Sequence, residues 1–281
     1  MPTLLFLGHG YSAAAPARLL TAEGWTVIGT TRSAEKAEAL RSAGVTPVLW
    51  PGDLAWALDR ATHVLASAAP DTGGDPFLCA APQIAGARAE WVGYLSTTAV
   101  YGDHQGGWVD EDTPPAPVSE RGRWRGGAEG PWRATGLPVH IFRLAGIYGP
   151  GRGPFEKVRN GTARRIVKPG QVFGRIHVED IARTLRASIA RPNPGAIYNL
   201  SDDDPAPPED VLAEAARLLG LPVPPAIPFD QADLTPMARS FYGESKRVRN
   251  DRIKRELGVA LRHPDYRSGL AALLADATPG S

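Results

Sequence analysis

Cysteine is nearly absent from this chain of 281 residues, where Cys79 stands alone. An internal disulfide is thereby excluded, and the usage fits a reducing compartment, so a cytoplasmic protein is expected. Neither sign of charge is in excess: 31 Lys and Arg face 30 Asp and Glu, for a formal net charge of +1. Nothing global then favours nucleic acid or an anionic membrane as partner. Aromatic residues make up only 7%, too few to interleave with the basic run Lys246 to Arg255 as a single-stranded nucleic-acid surface requires. Long apolar runs are missing as well. No stretch approaches the roughly eighteen residues of a membrane span, and the opening Met-Pro-Thr-Leu-Leu-Phe has no basic n-region of a signal peptide. A soluble protein is expected. With 43% hydrophobic residues, it can bury a core for one large domain or two unequal ones.

Glycine, by contrast, is plentiful, and its placement is informative. An apolar strand, Leu4 to Leu7, runs into Gly8-His9-Gly10-Tyr11-Ser12-Ala13, and a helix of small residues follows from Ala14 to Glu23. Strand, Gly-x-Gly-x-x-Ala turn and helix in that order are what a dinucleotide-binding fold requires. Gly8 can take the tight turn, Gly10 lets the backbone approach a pyrophosphate, and Ala13 permits close helix–strand packing. Tyr11 and Ser12 complete the phosphate-facing turn at the positive end of the helix dipole.

Further strands read at Trp25 to Gly29, Thr46 to Trp50, His63 to Ala68, Trp91 to Leu95 and Pro138 to Arg143, separated by helical segments. Alternation of this kind indicates a doubly wound parallel sheet. Phe77 to Glu90 reads as a helix with Pro82 in its first turns. A second helix spans about 119–136, weakened by Gly122, Gly126, Gly127 and Gly130. The expected class is α/β, with a Rossmann-type domain over 1–150. A smaller α/β lobe covers 151–281, and part of it returns to the sheet.

Several blocks coincide at one family's spacing: Gly8 to Ala13, Gly52-Asp53-Leu54, Leu95-Ser96-Thr97-Thr98-Ala99-Val100-Tyr101-Gly102, Arg143 to Gly151, and Arg175-Ile176-His177-Val178-Glu179-Asp180-Ile181. Over residues 3 to 200 the chain resembles the extended short-chain dehydrogenase/reductase family, of the NAD(P)-dependent epimerase/dehydratase type. The resemblance implies a Rossmann fold, a nicotinamide dinucleotide and a Ser or Thr at the end of the fifth strand, here Thr97. It also implies a Tyr-x-x-x-Lys pair on the next helix. Those positions hold Arg121 and Arg125, and arginine stays protonated, so neither replaces the phenol as acid or base. Gly146 stands where nucleotide-sugar enzymes of this type often carry Asn. The chain looks most like the atypical branch, which keeps the cofactor fold without the signature active site. Family members commonly dimerise through the helices that correspond to 77–90 and 119–136, where Trp124 and Trp132 could anchor a homodimer.

Individual residues carry two readings each. Arg32, about twenty residues beyond the glycine turn, stands where an NAD-specific protein carries an acid. With Thr30 and Thr31 it suits a 2′-phosphate, so NADP is favoured, with NAD as the alternative. Asp53 either sits near the adenine or caps a helix. Tyr101 is an alternative proton donor or a packing residue. His177 holds a turn ahead of a helix capped by Asp180, or transfers protons. His9 is read as a solvent-facing turn residue and Cys79 as buried. Ser245-Lys246-Arg247 either belongs to a solvated face or lines the lobe and holds an anion. No metal site is expected. Two functions stay open: an NADP-dependent oxidoreductase or epimerase acting on a small polar or anionic substrate, with Thr97, Tyr101, Arg121 and Arg125 at its centre, or a catalytically silent cofactor-binding sensor or partner-binding protein.

Overall fold

The computed structural model describes residues 1–277. Its centre is a seven-stranded sheet built from β1 (Thr3–Leu7), β2 (Thr26–Thr31), β3 (Thr46–Leu49), β4 (His63–Ala66) and β5 (Trp91–Thr97), and, past a two-residue β6 (Trp108–Val109), β7 (Val139–Leu144). Three short strands follow, β8 (Gly146–Tyr148), β9 (Arg165–Val167) and β10 (Arg175–His177), before β11 (Ile197–Leu200) completes the sheet. The order across it is β11-β7-β5-β4-β1-β2-β3, and all six neighbouring pairs run parallel. The winding reverses between β1 and β4, which places a crevice beyond the carboxyl ends of those strands.

The sheet is covered on both faces, so its strands are apolar throughout rather than alternating with polar residues. β1 shows the consequence. Leu4 and Phe6 point into one core with Ala13, Ala17, Ile181 and Leu185. Leu5 and Leu7 point into the other with Leu58, Phe77, Ile84 and Trp132. The first core is closed by α1 (Tyr11–Ala22), which packs along a later helix, Val178–Ala190. That later helix and β11 both lie beyond residue 150, yet they complete the central sheet and its first core.

Between β2 and β7 the helices are α2 (Ala34–Ser42), α3 (Ala55–Arg60), α4 (Pro76–Ala80) and α5 (Glu120–Ala134). The single helix expected over 77–90 is replaced by the five-residue α4 and a 3₁₀ turn at Pro82–Gly86. Pro82 has no N–H for the helical ladder, and it drives Ala81 to φ −138°, ψ 68°. Cys79 is consequently not buried: α4 spends its apolar face on Phe77, and the thiol is exposed, donating to Gly73 O at 3.2 Å.

The glycines of α5 do not break it, because they serve packing. A Cβ on Gly122 would lie 2.7 Å from Ala99 O, and one on Gly126 3.3 Å from Val100 Cγ1. The helix thus beds onto the turn after β5, capped by Ser119 Oγ accepting from Gly122 N at 3.3 Å. Trp132 is fully buried and donates to Asp75 Oδ2 at 3.0 Å, which removes it as an interface anchor.

The second lobe adds α6 (Phe155–Arg159), α7 (the helix Val178–Ala190), α8 (Pro208–Leu218), β12 (Ala226–Pro228) and α9 (Pro236–Phe241). After these come β13 (Arg247–Val248), α10 (Asp251–Leu257) and α11 (Tyr266–Ala277). Its own core gathers Tyr148, Phe155, Val211, Ala215 and Leu270. Asp180 does not cap α7. That cap is His177, whose Nδ1 accepts from Glu179 N at 3.3 Å. Asp180 instead accepts from the backbone N–H of Arg262 and His263, at 2.7 and 2.9 Å, tying α7 to the segment that enters α11.

Asp202, just past β11, is 1% exposed, and its Oδ2 has no hydrogen-bond partner. Burial, only partly offset by Arg175, pushes its carboxyl up to about 8. The folded chain therefore keeps a proton that the unfolded chain releases near pH ~4. Stability is fully present below that lower value and is lost as pH rises towards 8, by at most about 1.4 kcal/mol per unit. Asp202→Asn should flatten this part of the profile. Urea unfolding of both proteins at pH 5 and pH 8 checks it, and parallel profiles would count against a buried neutral acid.

Candidate active site

A cleft of about 790 Å³ opens at the switch point. Its floor is the turn after β1. Gly8 has φ +94°, and a Cβ there would stand 2.9 Å from Ala68 N, so only glycine fits without displacing backbone. The turn is pinned by Gly8 N donating to Thr30 Oγ1 at 2.6 Å and by Ser67 Oγ donating to Gly8 O. Gly10 is the N-cap of α1, and no side chain caps that helix. A Cβ on Gly10 would meet nothing within 4 Å. A helix N-terminus without a side-chain cap, facing open space, is suited to a pyrophosphate. Ser12 lines the cleft beside it, whereas Ala13 is buried in the sheet–helix core.

His9 is not solvent-facing. Its ring packs edge-on against Phe6, with centroids 5.2 Å apart, and occupies the space that a Cβ on Gly29 would need. Burial lowers its pKa, and Nε2 has no partner. Tyr11 lines the cleft with its hydroxyl buried and unpartnered, 2.6 Å from where a Cβ of Gly149 would be.

At one end of the cleft stand Thr31, Arg32, Ser33 and Lys36. Ser33 caps α2 by accepting from Lys36 N at 3.2 Å, which fixes the turn carrying Arg32. Thr30 borders the cleft but is only 1% exposed, and its Oγ1 accepts from Gly8 N, so it supports the glycine turn. Lys36 belongs to no motif; its only signal in the sequence is a second cation four residues after Arg32, in the first turn of α2. Asp53 lies off the cleft. It is exposed, and its Oδ1 accepts from Ala55 N at 2.8 Å, so it serves the turn into α3. The wall near it is formed by Trp50, stacked on Phe77 at 4.6 Å.

At the other end lie Thr97, Arg121 and Arg125. Thr97 Oγ1 accepts from Ala99 N at 3.2 Å. Arg125 Nη1 donates to Leu95 O at 2.5 Å. Arg121 sits at the mouth, its pKa lowered by desolvation and then by the like charges of Arg125 and Arg152.

Tyr101 is not in the cleft. It is fully buried beneath it, donating to Asn199 Oδ1 at 2.7 Å and accepting from Arg143 Nη1 at 3.0 Å. Burial raises its pKa, making it a poorer acid. The same network continues as Arg143 grips Glu129 through Nε and Nη2, at 3.1 and 2.7 Å, and Ser96 Oγ donates to Glu129 Oε1 at 2.5 Å. It joins β5, α5, β7 and β11 under the site, which holds α5 and its two cleft arginines in place.

Ser245-Lys246-Arg247 does not hold a free anion in the cleft. Lys246 is 8% exposed, paired with Glu244 at 2.7 Å and donating to Gly102 O at 2.7 Å. Ser245 Oγ donates to Gly170 O at 3.0 Å, and Arg247 to Gly106 O. The segment clamps the loop after β5.

His177, Glu179 and His263 bring ligand-type atoms within 4.8 Å of one another. With Nδ1 of His177 accepting a backbone N–H, its other nitrogen carries the ring proton. His263 Nε2 lies 3.1 Å from Glu179 Oε2, and Arg262 Nη1 pairs with the same oxygen at 3.3 Å. The cluster does not present three free lone pairs to an ion.

No family model matches the chain. Protein YeeZ of Escherichia coli K12 is 31% identical over 286 aligned positions, covering 94% of this chain and 97% of that protein. A solved structure of a functionally unknown conserved protein from Silicibacter pomeroyi is 62% identical, with a TM-score of 0.94, over 99% of this chain and 100% of the other. MoeE5 in complex with UDP-glucose and NAD superposes with a TM-score of 0.78 at 20% identity, over 98% of each chain; that likeness shows the shared fold. None of the described helices is long and apolar enough to cross a membrane.

Proposed function

The chain belongs to the family of Protein YeeZ from Escherichia coli, and on that premise we propose an NADP-dependent oxidoreductase or epimerase that acts on a small anionic substrate. The observation that carries the reading is the pairing, in one cleft, of the α1 N-terminus lacking a side-chain cap with Arg32, Ser33 and Lys36 at the end of β2. MoeE5, which has the same fold, is known in complex with NAD. In this reading residues 1–150 carry the dinucleotide, completed by α7 and β11, and the rest of 151–281 forms the substrate lobe. The pyrophosphate lies on Gly10, Tyr11 and Ser12, and the 2′-phosphate on Thr31, Arg32, Ser33 and Lys36. When bound, the nicotinamide supplies or accepts hydride.

Thr97 offers a hydroxyl to a substrate oxygen, and Arg121 and Arg125 orient an anionic group by charge-assisted bonds. These two arginines occupy the places where the wider family keeps Tyr and Lys. With Tyr101 buried, a proton must come from water, from the substrate or from a group other than Tyr101.

Titration calorimetry should show NADPH binding more tightly than NADH. Arg32→Ala should erase most of that gap, a loss of about 1.5–3 kcal/mol, roughly ten- to hundredfold in affinity. Equal affinities in the unmutated protein would end the NADP assignment.

A further inference from the structure

We propose that the group recognised at the substrate end of the cleft is doubly negative, seated between Arg121 and Arg125 of α5 on one wall and Arg152 on the other. The inference rests on the reading of this cleft as a joint dinucleotide and substrate site. Arg152 lies in the Gly149–Gly153 loop after β8, next to the block Arg143 to Gly151. The loop closes on itself through Gly149 N to Arg152 O at 3.1 Å and Arg152 N to Gly149 O at 2.9 Å. Gly151 takes φ +68°, and the resulting tight turn projects Arg152 into the cleft. Its guanidinium lies 5.4 Å from the centre of the Tyr11 ring.

Three features point to a dianion. First, among the described residues no carboxylate pairs with Arg121, Arg125 or Arg152; the ion pairs of the molecule lie elsewhere. Second, Arg121 is close enough to both other cations to feel them: desolvation first, and then the like charges of Arg125 and Arg152, lower its pKa, so the charge on Arg121 is unfavourable there without a counter-charge. Third, the Tyr11 hydroxyl is buried against Gly149 of the same loop with no partner, a donor left without an acceptor at the edge of the site. A single carboxylate would leave two of the three charges uncompensated. A phosphate ester or a pair of neighbouring carboxylates compensates two, and the planar forks suit either.

Calorimetry on the NADP⁺-loaded protein tests this, with inorganic phosphate, malonate and acetate as probes. Phosphate or malonate should bind at least about tenfold more tightly than acetate, and Arg152→Ala should remove about tenfold of that affinity while leaving NADPH affinity within about threefold. Phosphate binding above malonate identifies a phosphate ester, and the reverse a dicarboxylate. Equal binding of acetate and the dianions overturns the proposal. So does an Arg152→Ala variant that loses NADPH affinity as much as anion affinity, since Arg152 then belongs to the cofactor. Repeating the series without NADP⁺ separates the two readings. Failure to bind NADP⁺ sinks the cofactor assignment, whereas the preference for dianions is still measured.

Discussion

Glu129→Ala is expected to destabilise the protein by about 3–5 kcal/mol, the cost of leaving a buried charge without its partner. Arg143 and Glu129 side chains are only 3% and 10% exposed. The two nitrogens of Arg143 that face Glu129 lose both acceptors at once, and Ser96 loses its own. Holding this pair in place raises the Arg143 pKa further above its already high value. Removing both charges in Glu129→Ala with Arg143→Leu should recover part of the loss, because no isolated charge then remains buried. Urea unfolding at constant m-value measures both variants. A loss below about 1 kcal/mol in the single variant would mean that Arg143 finds water or another acceptor, and that the network beneath the cleft contributes little.

Turnover on neutral sugars and ketones is expected to be slow or absent, and raising the pH should not rescue it. A positioned general acid contributes roughly 10²- to 10⁴-fold, and the α5 side chains that line the cleft, Arg121 and Arg125, are guanidinium groups that stay protonated. The double substitution Arg121→Tyr with Arg125→Lys places a phenol beside an ammonium on the same face of α5. The introduced ammonium keeps a donor for Leu95 O, which Arg125 already contacts at 2.5 Å. Steady-state oxidation of NADPH with a panel of neutral carbonyl compounds should then rise over the unmutated protein. If the unmutated chain already reduces such compounds at about 1–1000 per second, the inference from the missing phenol is wrong.

The glycine turn and the alternating strands were legible because local geometry demands them. Gly8 at φ +94° against Ala68 is a backbone requirement written in one residue, and strands buried on both faces leave continuous apolar runs such as Leu4 to Leu7. What the sequence concealed are contacts between residues far apart in the chain. Nothing near Tyr101 announces that its hydroxyl meets Asn199, 98 positions away, and Arg143; its motif alone favoured packing and left a proton donor as the alternative. The basic run from Lys246 looked like a solvated face because its partners, Gly102 and Gly106, belong to a loop more than 140 residues earlier. The glycines of α5 read as weakness because the surface they bed against, Ala99 and Val100, is tertiary. Arg152 escaped notice for a related reason: its role depends on the loop that aims it.

The occupancy of the cleft by a dinucleotide bears on all of this most directly. Titration of the unmutated chain with NADPH by calorimetry should give one site per chain with a Kd well below 1 mM, stronger than about −4 kcal/mol. Absence of binding up to about 1 mM NADPH or NADH would contradict the assignment of the Gly8–Ala13 turn and the α1 N-terminus to a nicotinamide cofactor.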